Sequence, residues 1–172
     1  MINMKITLFL VLSILTFPSF AQNHDEYWTS WNKNYPEVNI LEVLRFEIKY
    51  ADSVERDSNI AQFYARLDKY RFTAEYTGKV RPLNNDVLMS MKHVFALFVD
   101  KSIKVEEICK SEVLFKVGDG YIWMPIQPKI LKALKEEAGA NDKISLYCLF
   151  LNQHNDKKEL YNTFFISEFT KL

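Results

Sequence analysis

The side chains able to do chemistry in this chain are few and scattered. Glu106, Glu107, Asp119 and Glu168 are carboxylates of the type that performs acid and base work when folding brings two together, as glycoside hydrolysis requires. Nothing in their spacing draws them together. Cys109 and Cys148 are the two cysteines, and His24, His93 and His154 are too dispersed to complete a zinc set with them. His154 and Asp156 read as neighbours in a solvated turn rather than a metal pair, and His93 falls in an apolar helix, where a histidine at the edge of the core is the default. The four glycines, Gly78, Gly118, Gly120 and Gly139, cannot be written as a phosphate loop. The chain does not read as an enzyme, and neither cofactor nor metal is expected.

Aromatic residues offer binding chemistry instead. Tyr27, Trp28, Trp31 and Tyr35 form a stripe at helical spacing that could stack on a sugar or a partner. Burial as a docking helix is the expected use, because an N-terminal segment stays ordered only when tied down. A second group lies in two short strand patterns, Glu112 to Val117 and Tyr121 to Ile126. Alternation turns Val113, Phe115, Val117, Ile122, Met124 and Ile126 inward, leaving Leu114, Lys116, Tyr121 and Trp123 outward. These four are the candidate binding patch. The competing expectation is that the helical part of the chain covers them.

The elements around these residues divide the chain near residue 100. Residues 22–100 read as mainly helical. A short helix over 24–35 stops before Pro36. A second, over about 38–56, carries Ile40, Leu41, Leu44, Ile48 and Ala51 on one face, and a third begins after Asp57-Ser58-Asn59 with Ile60, Phe63, Tyr64, Leu67 and Tyr70. Residues 70–77 fit two patterns: Tyr70, Phe72, Ala74 and Tyr76 alternate as in a strand, while Ala74 also continues the helical face and Gly78 suits a helix C-terminus. The reading favours helix. A further helix from Asn84 or Asn85 to about Val99 has apolar residues on both sides.

Residues 101–172 read as strands: Ile103 to Ile108, the two patterns already given, then a helix opened by Pro128, then Lys143 to Asn152 and Asn162 to Phe169 as a hairpin. Three strands, a helix and two strands resemble the OB-fold, a small five-stranded barrel with a helix between its third and fourth strands. The expected fold is therefore α+β, with N-terminal helices packed on a C-terminal OB-like barrel or curled antiparallel sheet, 22–172 forming one unit. The resemblance implies ligand binding on the second and third strands. It also sets the first and fourth strands side by side, and with them Cys109 and Cys148. A disulfide between these two is expected; two buried free thiols are the alternative.

Compartment follows from the first 21 residues: Lys5, an apolar run from Ile6 to Phe17 too short to span a bilayer, and Ser19-Phe20-Ala21 read as a cleaved secretory signal. The expected location is periplasmic or secreted, and no segment is expected to span a membrane. The 172 residues carry 22 basic and 22 acidic side chains, and removing Lys5 leaves 21 against 22, a formal −1. Without clustered positive charge, nucleic acid is not the expected partner. At 48% apolar and 15% aromatic, the chain can fill a core. The functional expectation is a non-catalytic binding protein of the cell envelope, of inhibitor or immunity type, whose partner is another protein or an envelope ligand. A cell-wall or glycan-acting hydrolase and a structural envelope component are the alternatives.

Overall fold

A computed structural model describes residues 24–57, 59, 63–155 and 157–172. The expected signal at 1–21, Asp156, and Ser58 and Ile60 at the expected start of the third helix lie outside the described residues.

Helices α1 (His24–Asn34) and α2 (Ile40–Arg56) come first. The side chain of Asn39 caps α2 by accepting from the Leu41 N–H at 3.1 Å. Next is β1 (Tyr64–Pro82), a 19-residue strand, followed by α3 (Asn85–Phe98), capped by Asn84, and the single turn α4 (Val105–Ile108). The hairpin β2 (Ser111–Val117) and β3 (Gly120–Ile126) precedes α5 (Pro128–Glu137), and β4 (Lys143–His154) and β5 (Leu160–Lys171) complete the chain. The five strands form a mixed sheet that closes in a ring in the order β1-β2-β3-β5-β4 and back to β1. Its one parallel junction is the pairing of Ile126 with Ile166. The fold is α+β and loosely OB-like: β1 lies beside β4, and α5 sits between the third and fourth strands.

Two expectations are corrected. Residues 64–77 are strand, not helix, because β1 forms a continuous antiparallel ladder with β4 from Tyr64↔His154 to Glu75↔Lys143. That ladder turns Phe72, Ala74 and Tyr76 into the core, the alternating face of the sequence rather than its helical one. Gly78, with φ of +76°, lies where the β1–β2 register shifts between Tyr76 and Val80. A residue free to adopt that conformation lets β1 bend from its partner β4 to its partner β2. Residues 103–108, expected as the first strand, instead contain α4. Val105 and Cys109, one helical turn apart, both sink into the core, while Glu106 and Glu107 turn outward to Lys92 and Lys104.

The expected disulfide is the third correction. Cys109 and Cys148 are both free and buried. Cys148 belongs to the core inside the ring, with Phe72, Phe115, Phe150 and Phe164, whereas Cys109 lies in a separate cluster formed by α3, α4 and the outer side of β4 and β5. With Cys109 placed after α4 instead of on a strand beside β4, the premise of the bridge is gone. Its Sγ donates instead to the Ile126 carbonyl at 3.5 Å.

The helices divide the ring's surfaces among them. α3 lies against β1, β4 and β5. α1 covers Tyr147 of β4, whose ring stacks on Trp28 and meets Trp31 and Tyr35 edge-on, and Tyr27 donates to Glu168 at 2.8 Å. The aromatic stripe is thus a docking surface, and Tyr147 is left 2% exposed. α5 contributes Leu134 to the inner core, and α2 contributes Ile40.

Candidate functional site

The β2–β3 hairpin is a local structure, two strands joined across Gly118-Asp119, and its register sets the candidate patch. Leu114 is directly opposite Trp123, and Lys116 is directly opposite Tyr121. All four side chains therefore share the outer face, while Val113, Phe115, Val117, Met124 and Ile126 fill the ring. Neither α1 nor α3 packs extensively on this hairpin. Tyr121 keeps 63% of its surface exposed, while Leu114, Lys116 and Trp123 are half-buried.

The neighbouring part of β1 completes the surface. Thr77 donates to the Leu114 carbonyl at 2.7 Å, which ties β1 to β2 where the register shifts. Glu75, opposite Lys116, lies 3.9 Å from its Nζ. Between β1 and the hairpin runs an open groove of about 550 Å³ lined by Glu75, Thr77, Lys79, Leu114, Lys116, Tyr121 and Asn141. Lys79 makes no ion pair among the described residues.

Arg81, which the sequence reading did not single out, is the most constrained charge on this face. Its guanidinium lies 4.2 Å over the ring of Trp123, and its Nε donates to Glu112 at 2.8 Å. Glu112 is buried and also accepts from the Asn84 N–H that opens α3. The buried carboxylate fixes the arginine on the indole, a stack that contributes roughly 1 kcal/mol where it is partly desolvated. A signal was present in the sequence: Arg81 and Glu112 are charged residues next to apolar strand patterns. Their pairing required knowing that β1 is a strand.

The other candidate residues do not converge. Glu106 and Glu107 belong to α4 and pair with Lys92 and Lys104; Asp119 is in the hairpin turn; Glu168 of β5 accepts from Tyr27. His93 is exposed on α3 and meets Phe63 edge-on. His154 is not in a solvated turn: it ends β4, fully buried, with Nε2 3.0 Å from Glu55 Oε1 and its ring stacked on Tyr64.

Around His154 the ring interior becomes polar. Along the inner side of β4 the apolar series Ile144, Leu146, Cys148, Phe150 gives way to Asn152 and His154, opposite Arg66 and Tyr64. α2 meets this end with Glu47, which is wholly buried and ion-paired to Arg66, and with Glu55. Burial and the charge of Glu47 push the Tyr64 phenol up to about 12. These are acid–base side chain types, and the Glu47–Arg66 and Glu55–His154 contacts join α2 to this end of the ring.

No protein-family model, no curated protein and no solved structure matches this chain. The functional reading therefore rests on the fold and on this face.

Proposed function

We propose that the protein is an exported, non-catalytic binding protein of the cell envelope, of inhibitor or immunity type, that takes its partner on the outer face of the β2–β3 hairpin. One observation carries the reading: helices pack on the ring's outer wall at β1, β4 and β5, yet an apolar and cationic set, Tyr121, Trp123, Leu114, Lys116 and Arg81, remains at least partly accessible on β2, β3 and the adjoining end of β1. An exposed tyrosine and a half-buried tryptophan beside a fixed arginine are the residue types enriched in binding hot spots. Location outside the cytoplasm rests on the signal pattern of residues 1–21, and no helix among the described residues is long and apolar enough to cross a membrane.

The test is a comparative capture from the organism's own envelope extract. Wild-type protein should retain a partner that Trp123→Ala and Tyr121→Ala lose. Each anchor is expected to contribute about 2 kcal/mol, a weakening of tens of times. Equal capture by all three proteins would remove this face from the binding role. Intact-mass measurement of the exported protein should show loss of the first 21 residues, and retention of Met1 would remove the export reading.

A further inference from the structure

We infer that Arg81 is a fixed guanidinium fork that receives carboxylates of an acidic partner protein, so that the hairpin face selects its partner by negative charge. The inference rests on the proposed use of that face and names the chemistry of what it binds.

Three features of Arg81 carry it. Its Nε is spent on Glu112, and one of its flat sides is spent on Trp123. No acceptor among the described residues takes its Nη groups, and 40% of its side chain is exposed. A guanidinium held at its base and on one side presents the remaining N–H groups in a set direction, the arrangement that pairs with a carboxylate through two parallel hydrogen bonds. Little rotamer entropy is left for binding to remove.

The charges around it point the same way. The face carries Lys79, Arg81 and Lys116 against Glu75 and Glu112, and both carboxylates are already ion-paired, to Lys116 and Arg81. What remains is one unmatched cation, Lys79, beside an Arg81 whose charge is met by Glu112 but whose Nη edge has no hydrogen-bond partner among the described residues; Asp119 lies in the hairpin turn beyond them. A saccharide stacking on the ring side of Trp123 that Arg81 covers would have to displace the guanidinium. A small free anion would gain one fork and no enclosure, because the adjoining groove is open. A protein surface supplies several carboxylates at once and a side chain to lie in the groove against Leu114 and Tyr121.

The test titrates the purified protein with poly-L-glutamate, poly-L-glutamine and the polyuronate alginate, following the Trp123 indole N–H and the Arg81 Nε–H by NMR. Poly-L-glutamate should shift both signals, poly-L-glutamine should not, and binding should weaken as salt rises. Arg81→Lys keeps the charge without the fork or the stack; it should fold normally and lose about tenfold in affinity. Arg81→Gln is expected to lose more, with circular dichroism separating lost binding from lost fold. Equal binding by Arg81→Lys would overturn the inference, since unspecific positive charge would then suffice. Shifts with alginate but not with poly-L-glutamate would overturn the protein as carboxylate source. If poly-L-glutamate leaves both signals unmoved while envelope capture still depends on Trp123, the acidic-partner inference fails and the binding face stands.

Discussion

Glu47 of α2 and Arg66 of β1 form an ion pair in which one partner is wholly buried and the other keeps 38% of its side chain exposed. The asymmetry gives the two truncations different costs. Arg66→Ala strands a carboxylate with no route to water and should cost about 3 kcal/mol or more. Glu47→Ala leaves an arginine that can turn toward solvent and toward Asp68, 2.6 Å from its Nε, and should cost roughly half as much. Urea denaturation of the two variants checks the order; equal losses would mean that Arg66 has no such escape.

Thiol chemistry follows from the placement of the cysteines. Labelling of the unfolded, unreduced protein should find two free sulfhydryls, while the folded protein at neutral pH should react slowly. Burial pushes the Cys109 thiol up to about 11 and raises that of Cys148 further, so the reactive thiolate is scarce at both. An unfolded protein without labelled thiols would restore the disulfide.

Stability should fall in alkali. Cys109 and Tyr64 have ordinary values of 9.0 and 10.0 and are raised in the fold to about 11 and about 12. A raised value means that the folded state holds its proton where the unfolded state has released it. The stability these groups contribute is therefore fully present below pH 9 and is lost as pH rises through 9 to 12. Urea midpoints should be level near neutrality and decline above pH 9, with Tyr64→Phe declining less steeply between 10 and 12. A midpoint as high at pH 11 as at pH 8 would contradict this.

Gly118 tests the join between the hairpin and α2. Its φ is +58°, and an added Cβ would lie 3.0 Å from Leu41 Cδ1. Gly118→Ala should cost about 1 kcal/mol, mostly from backbone strain, since the tip of Leu41 can give way. Gly120→Ala, whose nearest neighbour would be 3.8 Å away, should cost less. Combining Gly118→Ala with Leu41→Ala should cost less than the sum of the two.

From residue 111 onward the chain was legible because its elements are local, whereas residues 103–108, read as a strand, contain α4. Apolar alternation and the Gly118-Asp119 turn suffice to write the β2–β3 hairpin; Pro128 marks the start of α5, and the last two strands are a hairpin of their own. Period two puts Leu114 with Lys116 and Tyr121 with Trp123, and the register of the tight hairpin, Leu114 opposite Trp123, brings the two pairs to one face.

The first half was not legible in that way, since its decisive partners are distant in sequence. Residues 64–77 satisfy a helical and an alternating pattern at once, and the ladder to β4, nearly eighty residues later, settles which is used. Arg81 meets Trp123 and Glu112 only because β1 is that strand. Cys109 lies outside the ring and Cys148 within it because residues 105–108 form α4 and the strand beside β4 is β1. The sequence by itself determined the composition of each face and the local hairpins, which depend on side-chain period and turn chemistry. Tertiary structure alone decided which faces meet, because a strand's hydrogen bonds lie in another segment and a buried charge persists only where the fold supplies its partner.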